Sequence, residues 1–115
     1  MKVTTQRSTE KREVVWSGAA ESSAVTVSPG ASFAIYLPAA YNSGSPGTLG
    51  VQQMTEIVDP DTWVDVYSAG SVMSIAVTPG KMNVLTTTMF VGAGTIRFKS
   101  NDGVQTLTAE LVMNS

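Results

Sequence analysis

Apolar residues recur at every second position along most of this chain, and turn-forming residues interrupt them at short intervals. Phe33, Ile35 and Leu37 alternate with small or polar neighbours until Pro38 stops the run. Ile96 and Phe98 alternate with Arg97 and Lys99, and Leu107, Ala109, Leu111 and Met113 close the chain in the same rhythm. A period of two is the mark of a strand with one face on a core, so each run predicts a β-strand. Val14-Val15-Trp16, Ala24 to Val27, Leu49 to Met54, Val72 to Val77 and Met82 to Leu85 read likewise. In Trp63-Val64-Asp65-Val66-Tyr67 the pattern turns Val64 and Val66 to the core and Trp63, Asp65 and Tyr67 outward.

Turn chemistry separates these runs. Val25-Thr26-Val27-Ser28-Pro29-Gly30 is matched 50 residues later by Ile75-Ala76-Val77-Thr78-Pro79-Gly80. Pro then Gly supplies the fixed φ and the positive φ of a type II turn, so both copies read as one hairpin device used twice. Asn101-Asp102-Gly103 is a hairpin-grade turn, residues 38–48 read as a long surface loop, and Thr86 to Val91 allows one helical turn at most. Roughly eight or nine strands at this spacing predict a single-domain, all-β, mostly antiparallel β-sandwich of jelly-roll type over residues 14–115.

Residues 1–13 carry almost nothing apolar after Val3, and alone they cannot bury enough surface to offset the entropy of ordering. They are expected to form an extended N-terminal arm, mobile when alone, which reads either as a frayed terminus or as an arm that orders on a partner. Charge sets this arm apart. Lys2, Arg7, Lys11 and Arg12 are four of the seven basic residues of the chain, whereas from Val14 onward three basic residues face seven acidic ones.

Composition narrows the chemistry. The 115 residues include no cysteine and no histidine, which removes thiolate nucleophiles, thiolate metal sites and the usual general base near neutral pH. The expectation is a protein that is not an enzyme and holds no cofactor or metal. No apolar run approaches the roughly 20 residues of a membrane helix, and none follows Met1-Lys2 as a secretory signal requires, so a soluble protein with no membrane partner is expected. Charged residues make up only 14% of the chain, a surface that can pack against other protein without stripping water from many charges.

Two constellations stand out. Glu56, Asp59, Asp61 and Asp65 bring four carboxylates within ten residues, but without the spacing or glycine of a calcium loop, and they read as a solvated turn. Trp16, Tyr36, Tyr41, Trp63 and Tyr67 are the aromatics that could stack on a sugar. Trp63, Asp65 and Tyr67 share one predicted strand face, which reads as an interface between protein surfaces or, alternatively, as a glycan-binding platform. An acidic body without interleaved aromatic and basic residues predicts no nucleic-acid partner.

The segments Val25 to Ser32, Leu49-Gly50-Val51-Gln52, Thr62 to Tyr67 and Gly94 to Ser100 together resemble the small all-β structural proteins of tailed bacteriophages, and among them the capsid decoration, or cement, proteins. The resemblance spans roughly residues 24–112. It implies a β-sandwich on the outside of the virion capsid, made in the host cytoplasm, often a homotrimer, with a terminal arm laid over the major capsid protein of the same phage. Lys2, Val3, Thr4, Thr5, Arg7, Lys11 and Arg12 would then be the capsid-contact arm. Similar sandwiches in phage tails imply the alternative, a carbohydrate-binding or receptor-adhesion module that uses Trp63, Asp65 and Tyr67.

Overall fold

The computed structural model describes residues 9–27, 32–41, 45–55, 62–68, 70–85 and 94–114. Within them lie eleven strands and no helix: β1 (Thr9–Ala19), β2 (Val25–Val27), β3 (Ser32–Tyr36), β4 (Gly47–Thr55), β5 (Thr62–Asp65), β6 (Tyr67–Ser68), β7 (Ser71–Val72), β8 (Ser74–Val77), β9 (Met82–Leu85), β10 (Gly94–Ser100) and β11 (Gln105–Asn114). One antiparallel sheet runs β1-β11-β3-β9; the other runs β2-β10-β4-β5, with β8 also paired to β4. The first is called the long sheet below, the second the short-stranded sheet.

The predicted alternation supplies the core. Val14, Trp16, Ile35, Leu85, Ala109 and Leu111 point inward from the long sheet, and Val25, Leu49, Val51, Ile75, Ile96 and Phe98 meet them from the other. Two antiparallel sheets sharing one apolar interior make the all-β sandwich that the period of two implies. At roughly 1.5–3 kcal/mol per large aliphatic or aromatic side chain, this burial is the main term holding the sheets together.

The matched Pro-Gly segments are not hairpins. β2 and β8 lie in the short-stranded sheet, while the strands they lead into, β3 and β9, lie in the long one. In each copy the strands on either side of the Pro-Gly pair therefore belong to different sheets and are not neighbours. The Asn101–Gly103 turn likewise arches between the sheets, from β10 to β11, with Gly103 at φ +101°. A positive φ bends the chain sharply in either setting, so turn residues alone do not distinguish an arch from a hairpin.

The repeat has a structural counterpart. Val25, Thr26 and Val27 pair with Ile96, Thr95 and Gly94, while Ile75, Ala76 and Val77 pair with Leu49, Thr48 and Gly47. Gly94-Thr95-Ile96 thus stands to β2 as Gly47-Thr48-Leu49 stands to β8. β3 and β9 pair with each other about Ala34 opposite Val84, and β4 and β10 about Val51 opposite Phe98. The unit β2-β3-β4 and the unit β8-β9-β10 are therefore related by an internal pseudo-twofold.

The structure departs from the sequence reading at the N-terminal boundary. Residues 9–13 belong to β1, which pairs with β11 from Thr9 opposite Asn114 through Arg12 opposite Leu111. Backbone pairing, and not apolar burial, orders these polar residues.

Candidate functional site

The outer face of the short-stranded sheet carries the only side-chain network on the described surface that joins opposite charges across three strands. Alternation puts Gln52 of β4, Asp65 of β5 and Arg97 of β10 outward, and the register sets Gln52 between the other two. Arg97 Nε donates to Gln52 Oε1 at 2.7 Å, and Gln52 Nε2 donates to Asp65 Oδ1 at 2.9 Å. Gln52 is almost wholly buried, so its amide passes polarity from the guanidinium to the carboxylate through a dry position. The Arg97 guanidinium also lies over the Trp63 ring, 4.5 Å from its centroid. Such a contact contributes about 0.5–1 kcal/mol at an exposed site and covers one face of the indole.

This arrangement revises the reading of Trp63, Asp65 and Tyr67 as one face. Trp63 is half-buried under Arg97, and Asp65 is bound through Gln52. Tyr67 lies past a break in the strand. Val66 leaves the edge of β4 after its N–H donates to the Val51 carbonyl at 2.9 Å, and the chain then makes the small β6–β7 hairpin, in which Tyr67 pairs with Val72. Met73 N–H closes its base on the Val66 carbonyl at 2.8 Å, and β8 rejoins β4. Tyr67 and Val72 are 64% and 50% exposed.

The internal twofold shows what this hairpin is. Ser22 N–H donates to the Phe98 carbonyl as Val66 N–H does to that of Val51, and these acceptors occupy equivalent positions. From Ser22 the chain reaches Val25 in three steps, but from Val66 it takes nine to reach the equivalent Ile75. The difference is Tyr67 to Val72, an insertion present in one half only.

Several expected residues fall elsewhere. Val64, expected in the core, is 44% exposed, because it lies on the outermost strand beside half-buried Gln53 and not beside another core residue; Val66 packs on the core only in part. Trp16 and Tyr41, grouped with potential sugar stackers, are fully buried against each other, with ring centroids 6.3 Å apart in an edge arrangement. Tyr36 is exposed on the outer face of the long sheet. Arg97 and Lys99, expected in water, are half-buried.

Of the seven arm residues, Lys2, Val3, Thr4, Thr5 and Arg7 lie outside the described residues, as do Glu56, Asp59 and Asp61 and the segment read as one helical turn. Lys11 and Arg12 sit on β1 beside carboxylates of their own molecule, Lys11 Nζ 4.0 Å from Glu110 and Arg12 in contact with Glu10. Among the described residues no three carboxylates converge as a cation site would need, and no pocket opens.

A second polar cluster is internal. The Tyr41 hydroxyl donates to Asp102 Oδ2 at 2.8 Å and lies 3.1 Å from Ser100 Oγ, while the Thr48 N–H donates to the same Asp102 oxygen at 2.8 Å. Burial, aided by Asp102, pushes the phenol up to about 12. The cluster ties the chain after β3 to the β10–β11 turn. Sequence reading missed Gln52 and Arg97 because their outward positions carry no hint that β10 and β5 flank β4. The chain matches no family model, no curated protein and no solved structure.

Proposed function

We propose that this protein is a structural binding module that attaches by its surface to assembled protein, in the manner of the capsid decoration proteins that its strand and turn segments resemble. The observation that carries this reading is the β6–β7 insertion. Its exposed Tyr67 and Val72 project from a sheet edge that is complete without them in the other half of the fold. Tyrosine offers large apolar area with a polar tip and two rotatable angles, the properties that enrich it at protein interfaces. On a shell, such a module acts by mass action: it binds the assembled state and not the free subunits, so its binding free energy adds to the stability of the assembly.

The stacking of Arg97 on Trp63 supports protein over sugar as the partner, because the ring face a pyranose would use is already covered on one side. The test is co-sedimentation with shells of the major capsid protein encoded in the same genome. Wild type is expected to pellet with the shells and raise their melting temperature, and Tyr67→Ala with Val72→Ser to release it at least tenfold more readily. Failure to bind shells overturns the reading. Specific glycan binding that Trp63→Ala abolishes would replace it with the adhesion module.

A further inference from the structure

The long sheet ends at β9, and among the described residues nothing pairs with the outer edge of that strand. Edge strands of soluble proteins are ordinarily protected by proline, by charge or by a bulge. Met82-Asn83-Val84-Leu85 has none of these, and its register with β3 is regular over all four residues. The outer face beside this edge is apolar as well. Val84 is 85% exposed and Met82 51%, and Tyr36 and Ala34 continue the patch across β3. The Asn83 side chain is engaged inward, accepting from Thr78 N–H and donating to the Thr78, Lys81 and Ile35 carbonyls, so it does not guard the edge.

The internal twofold says what this edge is shaped to accept. β3 is the equivalent of β9, and β3 uses the corresponding edge to take β11 as an antiparallel neighbour over five residues. β9 offers the same edge, and among the described residues nothing fills it. An antiparallel strand of low charge fits it, and β9 itself has that character. Two copies related by a twofold perpendicular to the sheet bring like-facing residues opposite each other, as Ala34 and Val84 are within one copy. With the axis at Val84, Asn83 faces Leu85 of the second copy, and Lys81 falls beyond its strand, so no like charges meet. We propose that the protein self-associates edge to edge through β9, antiparallel and centred on Val84, making one continuous eight-stranded sheet. This goes beyond attachment to a shell and involves a different edge of the molecule.

The contact is short, well under the roughly 800 Å² per partner of a standard interface, so the dimer is a concentration-dependent one sought at tens of micromolar, as an order of magnitude. Sedimentation velocity over a hundredfold concentration range is expected to show wild type moving from monomer to dimer. Val84→Lys, which sets two ammonium groups opposite each other, should weaken association at least tenfold while the circular dichroism spectrum stays unchanged. The chain contains no cysteine, so Val84→Cys gives an unambiguous crosslink. Under oxidation it should form a covalent dimer, whereas Thr108→Cys, on the same outer face two strands away, should not. That pair of results holds even if Val84→Lys fails to fold. Wild type that stays monomeric throughout the range, or equal crosslinking at both cysteines, as stacked faces would give, overturns the proposal.

Discussion

Tyr41 is the residue on which two distant parts of the chain converge. Its hydroxyl meets Asp102, and the Asp102 carboxylate also holds Thr48 N–H, leaving no room at Gly47, where an added Cβ would stand 2.1 Å from that carboxylate oxygen. Gly47→Ala must displace Asp102 and strip both bonds. The expected loss is about 1–3 kcal/mol, read as a fall in denaturation midpoint with unchanged slope. The phenol also sets an alkaline limit. A folded-state value of about 12 against an ordinary 10 means that the unfolded chain releases this proton first. The contribution is whole below pH 10 and declines as pH rises from 10 toward 12. Tyr41→Phe should lower stability at neutral pH by about 1–2 kcal/mol and flatten that decline, as urea titrations at pH 8, 10 and 11 would show. None of this was legible in the sequence, where Tyr41 sits among turn formers and reads as surface. A partner 61 positions away becomes a neighbour only once β10 and β4 are paired.

At the scale of elements, strand content followed closely from the period of two, because alternation reports directly which face of a strand is dry. Where the strands go did not follow. The Pro-Gly turns look alike whether they fold a hairpin or arch between sheets, and the outermost strands break the rule that an alternate valine is a core valine, as Val64 does. Ala69-Gly70-Ser71 reads in the sequence as a turn between two strands; only the comparison of the two halves exposes the β6–β7 hairpin as added. Since Ser22 and Ser23 join directly where Val66 and Met73 are separated by the hairpin, excision of residues 67–72 should leave a folded sandwich. Its melting temperature is expected within a few degrees of wild type, while binding to shells is lost. A collapse of the fold on excision would mean that the hairpin is structural. The arm is the other boundary that moved, since pairing to β11 already orders the chain from Thr9.

At the scale of the whole molecule, a cut in the β4–β5 connection divides the strands into a first group, β1 to β4, and a second, β5 to β11. In the long sheet the order β1-β11-β3-β9 alternates strictly between the groups, and β2-β10-β4 with β5 and β8 does so as well. Every ladder of the two main sheets thus joins one group to the other, and the second group alone keeps only the small β6–β7 hairpin. Fragments 1–57 and 58–115 should each give a disordered far-ultraviolet spectrum and recover the β spectrum on mixing; a folded single fragment would contradict the interleaved topology. The same alternation governs how the chain finds its fold. Apart from β4–β5 and the small β6–β7 hairpin, strands adjacent in sequence are not partners, and Glu10 must meet Met113. Folding that depends on such remote pairing runs on the order of milliseconds to seconds, not microseconds. On a ribosome adding roughly 5–20 residues per second, β1 to β4 emerge with nothing to pair with and wait on the order of seconds for the second group. Chains stalled at about residue 60 should therefore be digested to completion by protease, and a chaperone that shields bare strand edges should raise the yield of the intact protein.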